Sequence, residues 1–289
     1  MIRFGIVGSD NSHALAFSEL CNVRPEGDRL KIPDAQVVAI CGADPARTRE
    51  VAEKGRIPKI VARPEEMLGL VDAALVVHRH GALHLAGARP FLEAGFPVFV
   101  DKPLAVDVRE AEALVEMAER HDAPLTSFTT LRWSPTFRKL VDDLGACGRI
   151  LAAYASGPAD PDSEYAGLFF YGVHTVELML AAFGYGVRRV RSYQVGKHVL
   201  VVVEYDDRQA ALQFLAGGRS IWHVVGHGTD GARWADVDTS DCYYYGLRVV
   251  AEMVETRRAP LTSEQLLEPI RVLAAIERSR ATGEPESTG

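Results

Sequence analysis

The chain has 289 residues, 47% hydrophobic and 25% charged, and its 32 Lys and Arg against 39 Asp and Glu give a formal net charge of −7. That balance supplies a sizeable core for one large or two modest domains and excludes disordered, collagen-like and disulfide-scaffold classes. A net negative chain without a Lys/Arg-rich run lacks the concentrated basic surface that neutralises phosphates, so nucleic acid is not expected as a partner.

Four scattered cysteines, Cys21, Cys41, Cys147 and Cys242, form no CxxC pair and read as reduced, buried thiols. No apolar run approaches the roughly 18 residues of a membrane span. The opening segment from Met1 to Val7 is too short for a signal h-region. A cytoplasmic chain with no membrane partner is the expectation.

Up to about residue 120, short β-branched runs alternate with segments of helical period, the pattern of βαβ units and a parallel sheet. Residues 3–7 read as the first strand, and Ser12 can cap a helix over 13–21. Residues 36–41 are a strand, 45–54 a helix, 60–61 a short strand and 64–69 a short helix. The strongly apolar stretch 73–77 is a strand, 83–94 a helix closed by Gly95, and 97–100 another strand. Ala111, Leu114, Val115 and Ala118 recur at helical spacing within 107–121.

Then the texture changes. A strand at 124–128 and a helix at 135–144 lead into strands at 150–155, 187–194, 199–205, 209–216 and 220–225, separated by Gly and Asp turn signals. Helices are predicted over 172–183 and over 263–281, the latter capped by Ser263; 283–289 reads as a disordered tail. The organisation is a Rossmann-type, doubly wound α/β domain over 1–121, followed over 122–289 by an α+β domain with a large, mostly antiparallel open sheet.

Candidate chemistry begins at the turn after the first strand, Gly8, Ser9, Asp10, Asn11, Ser12 and His13. A dinucleotide fold normally shows GxGxxG there, so that backbone amides reach a pyrophosphate. Only the first glycine is present, and Asp10, Asn11 and Ser12 are equally good helix caps. Asp44, near the end of the second strand, either binds ribose hydroxyls or caps the helix that Pro45 opens, leaving NAD or NADP undecided.

Asp101, Lys102 and Pro103 end an apolar strand, where open α/β sheets bind ligands. His78, His80 and His84 have no carboxylate or cysteine at ligand spacing, so no metal site is expected. His223, His227, Asp230, Asp236, Asp238 and Asp241 read as a solvated loop, with the mouth of the site as the alternative; Trp222, Trp234 and Tyr243 to Tyr245 read as sheet or interface packing, with a sugar-stacking surface as the alternative.

At Asp101, Lys102 and Pro103 the chain resembles the Gfo/Idh/MocA oxidoreductases (glucose-fructose oxidoreductase, inositol dehydrogenase and relatives), whose hallmark is an acid-Lys-Pro motif. Four further segments resemble family motifs in order: His78 to His84, the Arg132 and Trp133 segment entering the second domain, Gly172 to Glu177 around His174, and Ser279 to Gly283. The resemblance implies that the turn residues, Asp44, His78, Arg79, His84, Asp101, Lys102 and Pro103 hold NAD or NADP. It implies that Lys102 meets the reacting substrate oxygen, that His174 is general base, and that Arg132, Trp133, Tyr171 and Glu177 help bind substrate. Glu177, at i+3 from His174, either orients the imidazole or is an exposed acid without a role.

Three departures mark a divergent branch: Phe170 replaces an Asp four residues before the base, His78 and Arg79 replace a Thr-Pro pair, and Asp10 replaces the second glycine. The expected activity is NAD(P)-dependent hydride transfer with a secondary alcohol of a sugar, cyclitol or related polyol. The alternatives are a non-catalytic dinucleotide- or sugar-binding regulatory protein and a non-redox lyase or hydrolase with transient NAD use. A homodimer or homotetramer is implied through the open sheet.

Overall fold

The computed structural model describes residues 1–289. The chain forms two compact units, one of Met1–Ala105, Arg109–Thr130 and Asp241–Ser263, the other of Val106–Val108, Leu131–Ser240 and Glu264–Gly289. The units therefore differ from a single cut at 121/122: the first extends to Thr130, and a later segment returns to it.

In the first unit β1 (Ile2–Val7), β2 (Ala35–Cys41), β3 (Lys59–Ile60), β4 (Ala73–Val76), β5 (Val98–Val100) and β6 (Leu125–Thr126) make one sheet of order β3-β2-β1-β4-β5-β6. Every pair is parallel. This is the doubly wound order, and the strand order reverses between β1 and β4, where loops at the carboxyl ends diverge and leave a crevice. All four residues of β4 are buried, as are Phe4, Ile6, Val37 and Ile40, which is why these strands read as continuous apolar runs. Four helices, α1 (Ser12–Ser18), α2 (Pro45–Lys54), α3 (His84–Glu93) and α4 (Val108–Arg120), follow β1, β2, β4 and β5.

The second unit starts with α5 (Pro135–Leu144), capped by Ser134, and holds α6 (Leu168–Phe183). Its strands β7 (Ile150–Pro158), β8 (Arg189–Val195), β9 (His198–Glu204), β10 (Gln209–Leu215), β11 (His223–Gly228), β12 (Gly231–Asp236) and β13 (Glu286–Ser287) run in the order β12-β11-β7-β10-β9-β8-β13. Only β7 and β10 pair in parallel. Val199, Val201 and Val203 of β9 and Ala210, Leu212 and Phe214 of β10 alternate inward, on the side that α6 covers. A last helix, α8 (Ser263–Thr282), is tied to β8: Ser279 Oγ accepts the Ser192 amide at 2.9 Å, and Ser192 Oγ donates to the Ile276 carbonyl at 3.0 Å.

Four expectations are corrected. The polar stretch is a hairpin, β11 to β12, with His223 and Asp236 paired across it at 2.8 Å; β12 is an edge strand largely open to solvent, so it lacks the alternation that marks a half-buried strand. Tyr243, Tyr244 and Tyr245 lie in α7 (Cys242–Thr256), whose Gly246, Leu247, Val250 and Met253 face inward at helical spacing. The tail is ordered, because β13 pairs with β8 and Arg278 donates to the Ser287 carbonyl at 2.6 Å. Finally, α6 starts at Leu168, a turn before Gly172, bringing Phe170 and Tyr171 onto the helix of His174. No helix is long and apolar enough to cross a membrane.

Candidate functional site

In the first unit the carboxyl ends of β1, β4 and β5 bring together most residues read as cofactor-binding. Gly8 has φ +100°, and a Cβ there would lie 2.8 Å from the His78 backbone nitrogen, so this turn requires glycine for conformation and for close approach. Ser9 is buried with its hydroxyl 2.9 Å from Thr48 Oγ1. Asp10 does not cap the helix: its Oδ2 accepts the Arg79 amide at 3.1 Å, and Oδ1 lies 3.8 Å from His78 Nδ1. Half-burial pushes the Asp10 carboxyl up, but His78 and the Arg79 amide outweigh it and hold it below the usual carboxylate range.

Asn11 is the cap, its Oδ1 accepting the His13 amide at 3.3 Å, while Ser12 stands exposed and donates to the same oxygen. Asp44 is also a cap, accepting the amides of Ala46 at 2.8 Å and Arg47 at 3.2 Å.

Asp101 is fully buried and Lys102 nearly so; the Lys102–Pro103 peptide is cis. Asp101 Oδ2 receives Asn11 Nδ2 at 2.9 Å and lies 2.7 Å from His13 Nδ1. Burial pushes this carboxyl up, and the charges of His13 and Lys102 outweigh it, so it stays ionised well below its ordinary value. His84 is fully buried, with Nδ1 2.8 Å from the Pro103 carbonyl and Nε2 3.0 Å from the His78 carbonyl. Burial pushes its pKa down, and its two ring nitrogens face carbonyls of the two loops, one of which the neutral ring's single N–H can bond.

In the second unit the corresponding residues gather on α6 and the segment before α5. His174, Thr175 and Glu177 are all buried, so Glu177 is not the exposed acid allowed by its spacing. The His174 ring meets Tyr171 at 5.4 Å and Trp222 at 5.1 Å, both edge-on, and those two rings lie within 15° of parallel at 6.3 Å. Phe170 meets Tyr165 at a tilt at 4.8 Å and Tyr171 edge-on at 5.0 Å. Gly157 of β7 admits this cluster, because a Cβ would lie 2.4 Å from Trp222 Cδ1 and 2.6 Å from Thr175 Oγ1.

A pocket of about 210 Å³ opens beside Phe170 and Tyr171, walled by Pro158, Ser163 and Gly217. The Arg132 guanidinium lies 5.4 Å over the Trp133 ring and donates to the Tyr185 hydroxyl, whose pKa burial raises against the pull of Arg132. Sequence reasoning placed His13 in the candidate turn without giving it a role and missed Tyr185 as a site residue.

A doubly wound sheet with an acid-Lys-Pro strand end next to its switch point is the architecture of a dinucleotide-binding domain. Residues 2–128 match the family model GFO_IDH_MocA, described as the oxidoreductase family with an NAD-binding Rossmann fold. It is 26% identical to an inositol 2-dehydrogenase of Acidothermus cellulolyticus, over 96% of this chain and 77% of that one. It is 35% identical to the myo-inositol dehydrogenase Hyg17 of Streptomyces leeuwenhoekii over 99 residues, a match that spans 34% of this chain and only 30% of Hyg17. The fold superposes on scyllo-inositol dehydrogenase from Lactobacillus casei with bound NAD(H) and scyllo-inositol at a TM-score of 0.83 and 15% identity, covering 100% and 99% of the two chains.

Proposed function

We propose that the protein is an NAD-dependent dehydrogenase that oxidises a secondary alcohol of a cyclic polyol, inositol-like in shape, or runs the reverse reduction. The observation that carries this is the meeting of Asp101, the residue before Lys102, with Asn11 and His13 of the turn after β1, at the carboxyl ends of β5 and β1. The turn fits a dinucleotide: Gly8 keeps the strained bend, and Asp10 is drawn to the Arg79 amide instead of the helix start. When bound, NAD supplies the hydride acceptor.

On this reading the Lys102 ammonium hydrogen-bonds the substrate oxygen and stabilises its developing charge, while His174 accepts the hydroxyl proton. Tyr171 and Trp222 fix the His174 ring by edge contacts, and Arg132 on its Trp133 shelf binds substrate hydroxyls. The names of the relatives support an inositol-like substrate, and the second unit's open sheet supports a dimer or tetramer.

The test is titration with NADH and NADPH by fluorescence and calorimetry, followed by a screen of inositols and sugars. Micromolar binding of NADH and turnover of a polyol are expected, and Lys102→Ala and His174→Ala should each lose about 100-fold or more in kcat. Absence of dinucleotide binding overturns the reading. Binding without turnover of any polyol would favour a sensor, as the Asp-to-Phe170 departure allows.

A further inference from the structure

We infer that His13 and Asn11 are positioning residues for Lys102, gripping the neighbouring Asp101 carboxylate and tying the turn after β1 to the acid-Lys-Pro strand end. The inference rests on the reading of Lys102 as the lysine that meets substrate, but its geometry lies wholly within the first unit.

Both contacts fall on one oxygen of Asp101, Oδ2, from Asn11 Nδ2 at 2.9 Å and His13 Nδ1 at 2.7 Å. The other oxygen, Oδ1, is buried and takes no hydrogen bond. With a carboxylate oxygen 2.7 Å away, Nδ1 of His13 carries its proton. That contact is a close approach of the ring to the carboxylate and not an aligned hydrogen bond, since Nδ1 makes no hydrogen bond of good geometry. His13 is only 7% exposed. Its ring is held from the other side by Tyr243 at 4.7 Å and Phe17 at 5.7 Å.

Tyr243 belongs to α7, the segment that returns to the first unit, so this helix serves as a backstop for the imidazole. A buried carboxylate gripped on one oxygen only has no second anchor. If His13 is truncated, the Asp101 carboxylate retains a single neutral donor, and the position of Lys102 rests on the backbone bonds of its neighbours, from Asp101 N–H to the Val76 carbonyl and from His84 to the Pro103 carbonyl. A shift of about 1 Å in a group that must meet a reacting atom costs as much as 100-fold.

Lysine labelled with ¹³C at Cε gives six side-chain signals in this protein, from Lys31, Lys54, Lys59, Lys102, Lys139 and Lys197. Lys102 is assigned by the signal lost in Lys102→Arg. In protein without substrate, His13→Ala should move or broaden the Lys102 signal and leave the other five in place. In turnover it should lower kcat about 10- to 100-fold with KM for the polyol within about two-fold. His13→Ala combined with Asp101→Asn should lose little more than the worse single variant, because the two act through one contact.

An unmoved Lys102 signal in folded His13→Ala overturns the inference, as does a double variant that loses the product of the single effects. Should His13→Ala not fold, the near-isosteric Asp101→Asn and the Asn11→Ala variant make the same comparison. A wild-type protein without turnover would sink the dehydrogenase reading alone, since the lysine signal is read without substrate.

Discussion

Gly8 and Asp101 show how far single residues set the first unit. Alanine at Gly8 must adopt φ +100° and drive its Cβ to 2.8 Å from a backbone atom, which cannot rotate away as a side chain would. Gly8→Ala should cost about 1–3 kcal/mol in urea unfolding and weaken NADH binding by opening the turn. Asp101 acts through charge. Its folded pKa is depressed, so its contribution is present above the unfolded carboxylate range and is lost as pH falls through the folded value. Asp101→Asn should therefore lose about 2 kcal/mol at pH 7, the scale of hydrogen bonds to a charged group. That difference should shrink as unfolding is measured toward pH 3, and a constant difference across pH would show that charge is not the cause.

Among the elements, α8 carries a buried acid whose sign is opposite. Glu268 Oε1 accepts the amides of Gly186 at 2.7 Å and Val187 at 2.9 Å, closing the turn before β8. Burial pushes its carboxyl above the usual value in spite of these bonds. An acid with a raised folded pKa binds its proton more tightly when folded, so stability declines as pH rises from the unfolded value through the folded one. Glu268→Gln keeps an acceptor oxygen and removes the charge; its thermal midpoint should match the wild type near pH 4 and exceed it by a few degrees near pH 8, read by calorimetry. Legibility of the elements follows the same local logic. α5 was readable to the residue because Ser134 and Pro135 announce its start, and β4 because every position is buried. β12 and β13 were not, since edge strands are held by a neighbour's backbone and carry no inward face of their own. The start of α6 was hidden because Phe169, Phe170 and Tyr171 suit strands as well as helices. At the site, Lys102 and His174 were legible only through motif order, whereas the grip of His13 on Asp101 joins positions 88 residues apart and exists only once β1 and β5 are in one sheet.

At the scale of the whole molecule, the open face of the second sheet is the feature that a single chain leaves unexplained. Register places Arg191, Val202, Ala211, Tyr154, Val225 and Trp234 in one row across five neighbouring pairs from β8 to β12, with Tyr193 and Leu200 in an adjoining row. Trp234 is 67% exposed, Tyr193 48% and Leu200 37%. A contiguous apolar face of this kind is what a partner surface looks like, and a second copy supplies a matching one by symmetry. Light scattering after size exclusion should give at least twice the chain mass at micromolar concentration. Val202→Glu places a charge within the row, directly opposite Ala211, and should yield a monomer that keeps its secondary structure by circular dichroism. Wild-type protein that runs as a monomer up to about 100 µM would mean the face is not a self-association surface, because interfaces of standard size hold well below that concentration. If Val202→Glu instead leaves the oligomer intact, the copies meet through a different surface and the row must have another role.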